Sequence, residues 1–294
     1  MATPLFEHYQ PRSLEEALDL LGMYRSSVKL FAGGTDLVPK IRAGVVKARH
    51  IVSLNRVPGL AGISFMEDDG LVIGATTKIS AVADHPAVQE RYPALAHACS
   101  VMATPQIRNM GTVTGNLVNA APSADTALPL LVYGANLVLV ERGGRRRERL
   151  EEFFTGPGCC SLEPVEMVEA IRVPSPPERS GSCHMRLSAR SQVDIAAVGV
   201  AGMLCLDMAG RIITARIALG SVAPTPLRAR EAEDMLVGQM PEPKLLARAA
   251  AGCVRVSRPI DDVRATAAYR RAMVHVLAQR VLERCLVLAQ GGER

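Results

Sequence analysis

Two short stretches of the chain place glycine beside hydroxyl and amide side chains at the point where an apolar run breaks. In "VKLFAGGTDLVPKIRAG", residues 28–44, the strand pattern of Val28, Leu30 and Phe31 stops at Gly33-Gly34, and Thr35-Asp36 opens an apparent helix of Leu37, Val38 and Ile41. Glycine lets such a turn take positive φ and approach a ligand closely, while the first N–H groups of the helix point outward unpaired. The N–H groups of Gly33, Gly34, Thr35 and Asp36 could converge there on a phosphate, with the Thr35 hydroxyl as a further donor. Asp36 would act through its backbone, because its charge repels an anion. The second stretch, Gly111-Thr112-Val113-Thr114-Gly115-Asn116, offers two hydroxyls, an amide and another run of N–H groups, with Arg108 upstream as a counter-charge. Two phosphate cradles suit a diphosphate. Each stretch alone also reads as an ordinary turn with a helix cap, and neither fits G-x-G-x-x-G or G-x-x-x-x-G-K-S/T. On the residues alone the reading stops at an anion site.

Other reactive side chains form no pattern. The histidines His8, His50, His85, His97, His184 and His275 show no H-x-E or H-E-x-x-H spacing, and no nucleophile–base arrangement for hydrolysis is visible. Cys99, Cys159, Cys160, Cys183, Cys205, Cys253 and Cys285 form no C-x-x-C pair, and their odd count sits badly with a full disulfide framework. Reduced thiols and a cytoplasmic location are expected, with Cys159-Cys160 as a pair of loop thiols. "ERGGRRRER" reads as a solvated hairpin tip, a partner-facing patch being its alternative.

With 294 residues, 48% of them hydrophobic and 21% charged, the chain folds, and two domains are expected, with one large or three small as alternatives. Aromatics make up only 3% and Trp is absent, so base stacking is poorly supplied. The net charge of +5 comes largely from local clusters such as Arg145-Arg146-Arg147, with no basic arm. Nucleic-acid binding is not expected. The first residues carry no basic start followed by an apolar core, and no run of apolar residues is long enough to cross a membrane, so neither secretion nor a membrane span is expected.

The elements that must position the two bends can be read from periodicity. "PRSLEEALDLLG" predicts a helix from about Ser13 to Leu21, capped by Ser13 with Glu16. "VKLFAG", a helix over Thr35 to about Arg42 and "HIVSLN" make a βαβ-like unit whose strands could lie parallel. "ISFMEDDGLVIGATTKIS" is a hairpin turning at Asp69-Gly70, followed by one or two helices interrupted near Pro86 and Pro93. "NLVLVERGGRRRERL" turns at Gly143-Gly144, and "EMVEAIRV" runs into a Pro/Ser/Gly segment that places a domain boundary between Pro174 and Ser182. Beyond it come two or three strands turning near Ala209-Gly210. Helices follow around Leu227 to Leu236, Pro243 to Val254 and Ala265 to Leu288, the last with Ala268, Ala272, Val276 and Leu277 on one face. Strands first and helices second make the C-terminal part α+β.

"FAGGTDL", "IGATTKI", "QIRNMGTVTGNL", "APSADTALPLL" and "EEFFTGPG", in that order and spacing, resemble the FAD-binding medium subunit of the molybdenum hydroxylases. That family includes xanthine dehydrogenases, aerobic carbon monoxide dehydrogenases and related aromatic or heterocycle hydroxylases. "SARSQVDIAAVGVA", "GSVAPTPLRAREAE" and "DDVRATAAYRRAMVHVLAQR" resemble its C-terminal flavoprotein domain, so the similarity spans almost the whole chain. It implies an α+β fold: a two-lobed FAD-binding domain of the vanillyl-alcohol-oxidase (PCMH) type over 1–177, with lobes 1–56 and 57–177. An α+β domain of the carbon monoxide dehydrogenase flavoprotein type follows over 178–294.

By the same resemblance, Leu30, Phe31, Ala32, Gly33, Gly34, Thr35, Asp36 and Leu37 match a first FAD-contacting stretch, and Met102 and Ala103 a segment lining the flavin. Gly111, Thr112, Thr114, Gly115 and Asn116 match the second stretch, and both bends would face the FAD diphosphate. Asp125 matches an acidic residue that binds a cofactor hydroxyl, and Val168 or its neighbour Glu169 falls where a backbone group meets the isoalloxazine. Two departures stand out. Thr114-Gly115 replaces the usual pair of glycines, and Arg186 stands where many members have lysine eight residues before the aspartate of "DIA", with Arg190 and Asp194 matching. A cation at 186 remains available near the flavin, although its planar fork differs from an ammonium.

The activity implied is electron transfer. A large partner subunit oxidises the substrate at a molybdopterin, a small subunit carries two 2Fe–2S clusters, and FAD on this chain hands electrons to NAD+, a quinone or another acceptor. A dimer of heterotrimers is the expected assembly. The cysteine-ligated insertion of the 4-hydroxybenzoyl-CoA-reducing subgroup has no counterpart, so no cluster or other metal is expected here. Two other readings stay open: a free-standing flavin oxidase acting directly on a small substrate, and a cofactor-free scaffold whose glycine turns are only turns.

Overall fold

The computed structural model describes residues 5–191 and 193–292. At the N-terminus β1 (Glu7–Tyr9) leads into α1 (Leu14–Tyr24), where the Ser13 hydroxyl accepts the Glu16 N–H at 3.1 Å, the cap that the sequence predicts. Next come β2 (Val28–Phe31), α2 (Leu37–Arg42) and β3 (His50–Ser53). The three strands form a parallel sheet in the order β1-β3-β2. The α2 helix starts two residues later than predicted, which leaves Thr35 and Asp36 in the turn.

The second lobe opens with the hairpin β4 (Ile63–Met66) and β5 (Gly70–Gly74). Three helices follow where one or two are predicted: α3 (Ile79–Asp84), α4 (Pro86–Arg91) and α5 (Pro93–Val101). Pro86 and Pro93 each occupy a first helical position, where the missing N–H costs nothing, so they start helices rather than interrupt one. The chain continues through α6 (Pro105–Met110), α7 (Val113–Val118) and α8 (Ala127–Tyr133). The hairpin β6 (Asn136–Glu141) and β7 (Gly144–Arg149) precedes α9 (Leu150–Phe153). A short ladder of β8 (Phe154–Gly156) with β9 (Cys159–Cys160) puts the two thiols in a strand rather than a loop, and β10 (Met167–Val173) completes the lobe.

Its five-stranded antiparallel sheet runs β4-β5-β10-β6-β7. One face buries Leu71, Ile73, Leu137, Leu139 and Ile171 against helical Val82, Leu95, Leu117 and Leu128. On the other face Val140 and Met167 join Leu18, Leu21 and Val28, which ties the two lobes together.

The C-terminal sheet, β11 (Ser180–Ser188), β12 (Ala196–Leu206), β13 (Ile212–Gly220) and β14 (Leu227–Arg228), is antiparallel in chain order. Every residue of β12 is buried. Ala201 and Met203 belong to the core of the second lobe, while Val198, Val200 and Leu204 pack under the helices α10 (Arg230–Leu236), α11 (Pro243–Val256) and α12 (Ala267–Ala289). The buried face of α12 agrees with the predicted one at Leu277 and departs from it elsewhere: Ala268 and Ala272 are exposed, and Val274, Ala278, Val281 and Leu282 are buried. The misleading residue is Arg270, a charge inside the buried stripe, which donates to the carbonyls of Ala197 (3.0 Å) and Ser221 (2.7 Å) and to Asp262.

Candidate cofactor site

Both glycine bends line one cleft, of about 450 Å³, between the lobes. From the first lobe come Leu30, Ala32, Gly33, Gly34, Thr35, Asp36 and Leu37; from the second come Gly111, Thr112, Thr114, Gly115 and Asn116, with Met102 and Val168 beside them. The bends touch backbone to backbone. A Cβ on Gly33 would stand 2.3 Å from the Met110 carbonyl oxygen and 2.7 Å from Gly111 Cα, so no side chain fits there. Gly34 takes φ +71, and a Cβ there would also strike the Phe31 ring.

Among the described residues, the N–H groups of Gly33, Gly34, Thr35 and Asp36 have no hydrogen-bond acceptor in the protein. The second bend is held from behind, by Ile79 N–H donating to the Gly111 carbonyl (3.0 Å) and by Lys78 Nζ donating to the Met110 carbonyl (3.0 Å). Burial holds the Lys78 amine below the usual lysine range. The two threonines of this bend are not equivalent. Thr112 Oγ1 accepts the Gly115 N–H at 2.9 Å and caps α7. Thr114 Oγ1 is buried on the cleft wall and has no hydrogen-bond partner. Asn116 turns its Oδ1 to the Thr126 hydroxyl at 2.6 Å.

Lys40 and Asn119, which no sequence motif marks, complete the polar end. Lys40 Nζ donates to Asn119 Oδ1, and Asn119 Nδ2 donates to Asp36 Oδ1 at 3.2 Å. This chain of bonds runs from one bend to the other and adds a cation to the cleft. Its only signal in the sequence is spacing: Lys40 lies one helical turn beyond Asp36, and Asn119 nearly one turn beyond Asn116.

Four of the expected site residues lie outside the cleft lining. Phe31 packs on Ile41 and Ile51, and Ala103 follows Met102 in a turn with φ +48. Asp125 and Arg186 form an ion pair at 3.2 Å, with side chains only 9% and 7% exposed. Burial pushes the Asp125 carboxyl up to about 6, against the opposing pull of Arg186. Arg108 lies outside the cleft lining and donates to the carbonyls of Met102 (3.0 Å) and Ala103 (2.9 Å). Val168 and its neighbour Glu169 differ in what they face. The β10 ladder shifts register between Val168 and Ala170, Val168 lines the cleft, and the Glu169 carboxylate lies against Arg145 at 2.6 Å.

Free N–H groups on one bend, an orphaned hydroxyl on the other, a lysine at the rim and apolar Leu30, Ile79, Met102 and Val168 beyond them suit an elongated ligand with an anionic middle. The class so defined is a two-lobed binder of a dinucleotide. Residues 4–176 match the profile of the FAD-binding domain in molybdopterin dehydrogenase, and residues 184–285 that of the CO dehydrogenase flavoprotein C-terminal domain. The carbon monoxide dehydrogenase medium chain of Hydrogenophaga pseudoflava is 34% identical over 283 residues, covering 96% of this chain and 97% of that one. The xanthine dehydrogenase FAD-binding subunit of Escherichia coli O157:H7 is 33% identical over 285 residues, 97% of each. Among solved structures, carbon monoxide dehydrogenase from Hydrogenophaga pseudoflava superposes with a TM-score of 0.93 at 35% identity, covering 97% of this chain and 98% of that chain. Quinoline 2-oxidoreductase from Pseudomonas putida 86 gives 0.90 at 28% identity, covering 99% of each. The chain belongs to the FAD-binding subunits of the molybdenum hydroxylase family, an oxidoreductase subunit whose cofactor is FAD.

Proposed function

We propose that this chain holds FAD in the interlobe cleft and relays electrons from iron–sulfur clusters of a small partner subunit to an external acceptor such as NAD+ or a quinone. A large partner subunit, carrying molybdopterin, would oxidise the organic substrate, in a cytoplasmic dimer of heterotrimers. The observation that carries the reading is the backbone contact between Gly33 and Met110–Gly111, which brings the free N–H groups of the first bend up to the second bend. The amides of residues 33–36 and the Thr114 hydroxyl would hold the diphosphate, with Lys40 offsetting its charge. Leu30, Met102 and Val168 would cover the flavin. Asp125, paired with Arg186 behind the wall, would support the site rather than touch it.

The chemistry FAD supplies when bound is reversible one- and two-electron transfer; the residues around it bind, orient and exclude water. No lining side chain is given a catalytic role. We put the domain division at 177/178, with the cleft in the first domain. Among the described residues, no helix is long and apolar enough to cross a membrane.

The test is to purify the tagged chain from its native host. A yellow complex with a molybdopterin subunit and an iron–sulfur subunit, whose flavin bleaches anaerobically on addition of a substrate of the complex, is expected. A lone flavoprotein that oxidises organic substrates by itself, or a protein that stays colourless with added FAD, contradicts the proposal.

A further inference from the structure

The wall that carries Met102 is a two-residue reversal. Helix α5 ends at Val101 and α6 begins at Pro105, with Thr104 as its cap, its hydroxyl accepting the Ile107 N–H at 3.4 Å. Pro105 bars Thr104 from helical geometry. Ala103 makes the turn by taking φ +48, a left-handed conformation unfavourable for a residue with a Cβ. Three successive carbonyls, of Val101, Met102 and Ala103, thereby lose the N–H donors that a continued helix would give them.

Two arginines supply the missing donors from opposite sides. Arg108, on α6, donates through Nη1 to Met102 O (3.0 Å) and Ala103 O (2.9 Å). Arg186, on β11 beyond the domain division, donates through Nη1 to Val101 O at 3.3 Å. Its pairing with Asp125 at 3.2 Å fixes that guanidinium in turn. Arg108 reaches two consecutive carbonyls from the one nitrogen Nη1, while Nη2 of Arg186 is held by the Ser188 hydroxyl and the Asp194 carbonyl, which leaves its Nη1 for the turn.

We infer that Arg108 and Arg186 are positioning residues that clamp the Val101–Thr104 turn and so set Met102 against the cofactor. The inference rests on the proposed FAD site and deepens it. Both cations act on the protein's own carbonyls, and the C-terminal domain thereby takes part in shaping the cleft.

The experiment titrates FAD into the full-length wild type, Arg108→Ala, Arg108→Lys and Arg108→Ala/Ala103→Gly, reading Kd by flavin fluorescence and the flavin environment by visible circular dichroism. Arg108→Ala is expected to weaken binding roughly tenfold through the orphaned carbonyls and to change the visible dichroism. Far-UV dichroism and the melting transition should keep their wild-type form. Arg108→Lys should fall between wild type and Arg108→Ala, and it serves alone if the alanine variant does not fold. Ala103→Gly should return part of the lost affinity, because glycine takes the left-handed turn without help. Wild-type Kd and dichroism in both Arg108 variants, or no recovery in the double variant, overturns the clamp alone. A wild type that takes up no FAD overturns the functional proposal, and the clamp with it.

Discussion

Thr114 is where the chemistry of this site departs furthest from what a turn requires. Its hydroxyl is buried in a residue that lines the cleft and has no partner, whereas that of Thr112, two residues earlier, is occupied in capping α7. The sequence shows two equivalent hydroxyls in this stretch; only the helix start, which lays the Gly115 N–H over Thr112, separates them. A buried polar group left unpaired costs about 1–3 kcal/mol, a cost recovered when a charged acceptor arrives. Thr114→Val should therefore move two quantities in opposite directions. Urea unfolding of the cofactor-free protein should show stability raised by up to about 1 kcal/mol, while FAD affinity falls roughly tenfold. Thr114→Ser should keep wild-type affinity. Equal FAD affinity for the Val variant and the wild type would remove Thr114 from the site.

At the scale of elements, the seam between α5 and β11 is the informative one. His97 and His184 meet there, Nδ1 to Nδ1 at 3.2 Å, and His184 Nε2 is buried with no partner. Burial, aided by His97 and Arg186, pulls the His184 imidazole down from 6.5 to about 3. Below pH 6.5 the unfolded chain therefore binds a proton that the folded chain refuses, and stability falls as pH drops toward 3. Asp125 works the other way: raised from 3.8 to about 6, it takes up its proton on the folded side first. Replacing His184 by Gln should remove the first effect. Between pH 7 and pH 5 the variant should lose about 2 kcal/mol less stability than wild type, read from urea midpoints. Equal losses in the two proteins would mean that His184 is charged in the fold. None of this was legible in the sequence, where six histidines lie scattered and α5 and β11 are about ninety residues apart. Local signals did better: Ser13 caps α1 and Gly70 turns its hairpin where the periodicity places them. In the sequence Pro86 and Pro93 look like breaks, because a proline's place at a helix start is clear only once both flanking helices exist.

For the whole molecule, the sequence motifs carry the class of protein, and the fold supplies their meeting. Gly33 and Gly111 are far apart in the chain, and neither bend alone differs from an ordinary glycine turn; packing of the lobes puts their backbones in contact. The sheet of the C-terminal part shares its core with the second lobe through Ala201, Met203 and Ala218, and from that sheet Arg186 reaches the Val101 carbonyl, next to Met102 of the cleft. Lys40 and Asn119 carry no more than helical spacing in the sequence, because a polar chain across two lobes joins residues about eighty positions apart. The most direct test of the account is a crystal structure of the full chain with FAD. The diphosphate should lie within hydrogen-bonding distance of N–H groups from residues 33–36 and of Thr114 Oγ1 together. A diphosphate held by one bend alone, or FAD bound outside the interlobe cleft, would contradict it.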